Sequence, residues 1–138
     1  MSSDNRISVL LDTNVFVAAY WAQGSASARL IQACIDGHVQ AHYSKEVKRE
    51  VMRILRMIKV SEVYIDKVEL FWERAKEVKG ISVEPIRVED PDDQKFLEAA
   101  AGGQTDFIVT NDDHLLSIGY IGRTEILTPV SVLKMIGL

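Results

Sequence analysis

Four acidic residues stand where a folded chain can gather them: Asp12, Glu50, Asp93 and Asp112. Asp12 follows directly on the apolar run Val9-Leu10-Leu11, and Asp112 lies two residues beyond Phe107-Ile108-Val109-Thr110. Both runs read as short buried strands. In open parallel sheets ligands bind outside the carboxyl ends of strands, so both acids are expected at the functional edge. An Asp after a strand is also a good helix cap, and each of the two keeps that second reading.

Asp93 carries more information. At roughly 100° per residue, Phe96, Leu97, Ala100 and Ala101 mark the buried face of its helix, and Asp93 falls inside that arc. It is therefore expected to point along the core face toward the sheet edge, whereas Asp92 is turned outward. The alternative is a capping box with Asp90, favoured by the helix dipole. Glu50 is a boundary residue, about 40° outside the stripe edge set by Ile54. Glu46, one turn earlier, is rotated further out and replaces Glu50 only if the helix is turned.

Four carboxylates in one partly dry pocket cannot all ionise without repulsion, so they take up protons or bind cations. A set of oxygen donors without His or Cys suits Mg²⁺ or Mn²⁺ and not zinc. One or two such ions lower the pKa of water and stabilise the attacking and leaving oxygens of a phosphodiester. The expected chemistry is hydrolysis by a metal-activated water, with no protein nucleophile.

The elements that must position these acids follow from pattern. Strands are expected at 7–11, 39–43, 81–84, 107–110 and 125–128. Helices are expected at 14–21, from Ser25 or Ser27 to Gly37, from the Ser44 cap through Ile58, from Ser61 to about Val78, from Asp90-Pro91 to about Ala101, at about 113–117, and from Pro129 to the end. Gly102-Gly103 is expected to stop the fifth of these. Strands alternating with helices predict an α/β fold with a parallel sheet covered on both faces.

Composition excludes several classes. Hydrophobic residues make up 47% and charged residues 26% of 138 residues, a globular balance for one domain over 1–138 with its core at about 7–136. No apolar run reaches the ~18 residues of a membrane span, and the polar start Met1 to Arg6 lacks the apolar stretch of a secretory signal. A cytoplasmic protein is expected. Lone Cys34 forms no internal disulfide, and with three His it makes no zinc spacing.

A net charge of −4 argues against a general nucleic-acid coat. The distribution says more: 45–79 holds ten Lys/Arg against seven Asp/Glu, and 84–113 holds nine Asp/Glu against two Lys/Arg. A basic helical region beside an acidic cluster suits an anionic polymer held near a cation-loaded site. Solvated helix faces beside an acidic surface explain the same charges.

Four segments together carry a resemblance: Leu-Leu-Asp-Thr-Asn-Val over 10–15, Ser-Lys-Glu-Val-Lys-Arg-Glu-Val-Met-Arg-Ile-Leu over 44–55, Asp-Pro-Asp-Asp-Gln-Lys-Phe-Leu-Glu-Ala-Ala over 90–100, and Phe-Ile-Val-Thr-Asn-Asp-Asp-His-Leu-Leu over 107–116. In order and spacing the chain resembles the PIN domain, and within it the toxins of prokaryotic toxin–antitoxin systems related to VapC. The resemblance implies a three-layer α/β/α fold around a five-stranded parallel sheet, and an endoribonuclease dependent on Mg²⁺ or Mn²⁺. It places the family's four acids, as metal ligands and catalytic residues, on Asp12, Glu50, Asp93 and Asp112. Asn14 and Thr110 match residues that orient carboxylates. It further implies an RNA substrate, a small antitoxin partner and a homodimer.

Arg49 and Arg53, with Arg56, are candidates for holding RNA phosphates. Tyr20, Trp21, Val63, Phe71 and Trp72 are candidates for an apolar contact surface, although Phe71 fits a core as well. Asp113 and His114 adjoin the acids, the first as a water-bridged ligand or a helix cap, the second as a substrate contact or an exposed turn residue. No role falls to His38 or His42.

Two rival functions differ in class. A phosphatase of the haloacid-dehalogenase type also places an Asp after its first strand. It needs a second Asp two residues on, where this chain has Asn14, and a Lys near the later acids, where none lies between Lys95 and Arg123. A catalytically silent PIN module that binds RNA or a protein is the other.

Overall fold

Four short runs, two of them wholly or mostly apolar, become the parallel core of a sheet. In the computed structural model, which describes residues 5–83 and 91–138, these are β1 (Ser8–Leu11), β2 (Gln40–Tyr43), β4 (Phe107–Val109) and β6 (Thr124–Leu127). Two short strands, β3 (Lys76–Glu77) and β5 (Tyr120–Ile121), add the edges, giving the order β3-β2-β1-β4-β6-β5. All neighbours pair in parallel except β5 and β6. With helices packed on the sheet the fold is three-layered α/β/α.

The helices are α1 (Thr13–Trp21), α2 (Ala26–Ile35), α3 (Lys45–Met57), α4 (Glu62–Arg74), α5 (Gln94–Gly103), α6 (Asp113–Ile118) and α7 (Pro129–Met135). Hydroxyls of Ser25, Ser44, Ser61 and Thr128 each accept a backbone N–H at 3.2 Å, so the predicted serine caps start α2, α3 and α4. Val9, Leu10 and Ile108 are fully buried in the sheet. Phe16, Phe71 and Trp72 interlock beside it with ring centroids 5.0–5.5 Å apart. Trp72 is thus a core residue and not contact surface, as is Phe71. Trp21 and Val63 are exposed at 69% and 81%.

Four expectations need correction. Among the described residues the sheet has six strands, not five, because Tyr120-Ile121 folds back on Thr124 as an antiparallel hairpin. Its two-residue turn places Gly122 at φ 57°, the left-handed region that such turns demand. The third strand lies at Lys76–Glu77 and not at 81–84. The expected helix 61–78 ends at Arg74, where the Ala75 N–H closes onto Phe71 and Trp72 carbonyls. The chain then extends along the sheet edge, where the Val78 N–H reaches the Tyr43 carbonyl at 2.8 Å. Both residues of β3 are exposed, so edge pairing without an apolar face left nothing for periodicity to detect. Residues 81–83 are irregular and Glu84 lies outside the described residues.

The fourth correction concerns Gly102-Gly103. These residues belong to α5, which ends at Gln104 in the left-handed region at φ 49°. Their smallness serves close packing instead: a Cβ on Gly103 would crowd the His42, Val78 and Thr105 side chains, and one on Gly102 would lie 1.8 Å from the Lys79 carbonyl oxygen. Backbone cannot step aside as a side chain does. Gly102→Ala gains about 1 kcal/mol of helix propensity and is expected to lose about 3 kcal/mol to the clash. A net loss of about 2 kcal/mol should appear as a lower urea midpoint with unchanged slope.

Candidate active site

The chain leaves β1 to form β2 on one side and returns to form β4 on the other. This reversal makes the crevice at the carboxyl ends of β1 and β4 the expected ligand position. Leu11 pairs with Val109, so the residues that follow, Asp12 and Thr110, emerge side by side. The Asp12 N–H donates to the Val109 carbonyl at 2.9 Å, continuing the ladder by one step.

The Asp12 carboxylate is tightly held. Its Oδ2 accepts from the Thr110 hydroxyl at 2.7 Å and from the Asn14 amide at 2.8 Å. The Thr110 oxygen in turn accepts the Asp112 N–H at 3.0 Å, and Asn14 Oδ1 accepts the Asn111 N–H at 3.2 Å. Two side chains thereby join the loop after β1 to the loop after β4. Thr110 is fully buried. Thr110→Val keeps its volume while stripping Asp12 of a donor and the Asp112 N–H of its acceptor. Chemical denaturation is expected to show a loss of about 1–3 kcal/mol.

Asp12 is only 5% exposed, and its pKa is pushed up from 3.8 to about 6. Burial is the largest cause. The charges of Asp112 and Glu50 push it further, and the bonds from Thr110 and the Thr13 backbone pull it back. Asp112 and Glu50 are therefore electrostatic neighbours of Asp12, each resisting its ionisation.

Glu50 projects from α3 with its side chain 11% exposed. Its Oε2 accepts from the Thr13 hydroxyl at 2.9 Å, and its Oε1 lies 2.5 Å from the Lys95 ammonium. Asp112 does act as a cap: its Oδ1 accepts the His114 N–H at 3.0 Å at the start of α6. Cap and neighbour of Asp12 are compatible, since a carboxylate has two oxygens. Asp93 is half-buried at the start of α5, in a 3-10 turn (Pro91–Asp93), and its carboxylate makes no capping bond to that helix. The proposed partner of a capping box, Asp90, lies outside the described residues, as does the side chain of Asp92.

Most of the other candidates face solvent. Glu46, Arg49 and Arg53 are exposed along α3, and Glu46 is not turned inward in place of Glu50. Asp113 and His114 are exposed on α6, and His38 is exposed too. His42 is buried, its Nδ1 2.8 Å from the Thr105 hydroxyl. Two residues that the sequence reading passed over touch the site, Thr13 and Lys95. Thr13 stood inside the Asp-Thr-Asn motif. Lys95 carried one weak signal, as one of only two basic residues in the acidic stretch 84–113.

A model of the PIN domain family matches residues 8–114. The chain is a PIN domain. This PIN domain is also similar in fold to a chain in the crystal structure of VapBC2 from Rickettsia felis bound to a DNA fragment from their promoter. The likeness has a TM-score of 0.64 at 15% identity, covering 88% of this chain and 98% of that one. No curated protein matches it in sequence.

For this PIN domain the donor set suits a hard divalent cation: carboxylate oxygens, one of them buried and reluctant to ionise without a positive neighbour. Among the described residues, no three Asp, Glu, His or Cys side chains are gathered tightly enough to chelate an ion as they stand.

Proposed function

We propose that this PIN domain is a divalent-metal-dependent endoribonuclease, with Asp12, Glu50, Asp93 and Asp112 as metal ligands. The observation that carries this reading is Asp12, a buried carboxylate with a pKa raised to about 6 and two further acids bearing on it. Burial of that kind destabilises the fold unless a cation compensates it. PIN domains are generally nucleases, which makes a phosphodiester the substrate. Mg²⁺ or Mn²⁺, as one ion or two, would lower the pKa of water and offset charge on the phosphodiester.

The chain's own residues set the geometry. Thr110 and Asn14 fix one oxygen of Asp12, so its plane is set before any ion arrives. Thr13 holds Glu50 beside it. Arg49 and Arg53 offer charges to a phosphate backbone along α3, which makes RNA binding fall with salt.

We also assign this protein to the toxin side of a toxin–antitoxin pair, acting in the cytoplasm and forming a homodimer. Similarity of fold to a chain of the VapBC2 complex supports an antitoxin partner. A groove lined by Ala19, Tyr20, Ile31, Val63 and Tyr64 lies between α1, α2 and α4, at the far end of α1 from Asp12, and is suited to an apolar segment. Among the described residues no helix is long and apolar enough to cross a membrane.

The test is incubation of purified protein with mixed-sequence single-stranded RNA in Mn²⁺ and in EDTA. Cleavage in Mn²⁺ that stops on chelation is expected. RNA retained on the protein but never cut in any metal would instead establish the silent binding module.

A further inference from the structure

The ammonium of Lys95 sits 2.5 Å from Glu50 Oε1. The pair is partly shielded, with side chains 26% and 11% exposed, so solvent screens it less than an ordinary surface pair. The other oxygen of Glu50 is held by Thr13, the residue next to Asp12. Lys95 is thus the positive charge at the edge of an acidic cluster. A divalent ion that drew on Glu50 would compete with this ammonium for the carboxylate. Lysine is a point charge on a flexible stem, built to move aside. A groove lined by Lys95, Lys45, Lys79, Glu46 and Glu98 gives the displaced ammonium a polar place to go.

We propose that Lys95 is the internal counter-cation of the site: it neutralises Glu50 in the metal-free protein, yields to the divalent ion, and so sets how tightly that ion binds. The inference rests on the metal-site reading above. Lys95 is a positioning residue in this scheme, acting through Glu50.

Calorimetric titration with Mn²⁺ at fixed pH separates the two claims. Lys95→Gln removes the competitor and is expected to bind Mn²⁺ about tenfold more tightly than wild type, a step of about 1.4 kcal/mol. Lys95→Arg, which keeps the charge, should return toward wild-type affinity. A lysine that merely braced the site would give the opposite sign, so unchanged or weaker binding in Lys95→Gln overturns the proposal. Mass-spectrometric footprinting with an amine-acylating reagent asks the same of the unmodified protein. Labelling of Lys95 should rise several-fold on adding Mg²⁺, and labelling that stays flat or falls contradicts displacement. If wild type takes up Mn²⁺ and Asp12→Asn takes up as much, the metal-site reading itself is wrong. If uptake depends on Asp12 but not on Lys95, only the counter-cation fails.

Discussion

Asp12→Asn is expected to lower RNA cleavage by about 10³-fold or more while making the metal-free protein more stable at neutral pH. The loss follows from removing a ligand charge where an ion would otherwise supply several kcal/mol of transition-state stabilisation. The gain follows from burial. Asp12 ionises at about 6 in the fold against 3.8 in its ordinary state, and at roughly 1.4 kcal/mol per pH unit its ionised form costs the fold about 3 kcal/mol. Asparagine is nearly the same shape, carries no charge and still offers an oxygen to Thr110 and Asn14. Urea melts in EDTA at pH 7.5 should therefore favour the variant by up to about 3 kcal/mol. A variant that loses activity and stability together would make Asp12 an ordinary structural residue.

The second large effect is the pH dependence of the metal-free fold. Because the folded pKa of Asp12 lies above its unfolded value, the native state holds the proton more tightly. Below pH 3.8 both states are protonated and Asp12 contributes nothing to the slope. As pH rises from 3.8 toward about 6 the unfolded state has lost the proton that the native state still holds, and stability falls. Above that window the penalty is complete. Other carboxylates titrate in the same range, so the informative quantity is the difference between wild type and Asp12→Asn. That difference should open by roughly 2.4 kcal/mol between pH 4 and pH 7. Mn²⁺ added at pH 7 should close most of it, because an ion bound only by the folded state stabilises that state by mass action. Parallel curves at all pH values would mean that burial leaves Asp12 unperturbed.

Much of this was legible in the sequence because two signals agreed. The apolar runs 8–11 and 107–109 were short and bounded, so the residues after them had to emerge at one sheet edge. The pairing of β1 with β4 then places Asp12 beside Thr110. Serine caps were equally readable, since a hydroxyl before an amphipathic run has one obvious use. Edge strands were not. Lys76 and Glu77 bury nothing and owe their conformation to backbone bonds with β2, which no side-chain pattern reports. Gly102 and Gly103 looked like a helix stop when their purpose was close packing, Gly102 on the Lys79–Gly80 backbone and Gly103 on the His42, Val78 and Thr105 side chains, a tertiary reason invisible along the chain. Lys95 was missed on similar grounds: its partner Glu50 stands 45 positions earlier, and pairing at that range leaves no local trace.

The most direct measurement of the central claim is an anomalous-difference map from crystals soaked in Mn²⁺. A peak in the crevice at the ends of β1 and β4 is expected, ligated by Asp12 and by at least one of Glu50, Asp93 and Asp112, and absent from Asp12→Asn crystals under the same soak. Mn²⁺ found only at exposed surface acids, with Asp12 still bonded to Thr110 and Asn14 alone, would contradict a metal nuclease built on these four carboxylates.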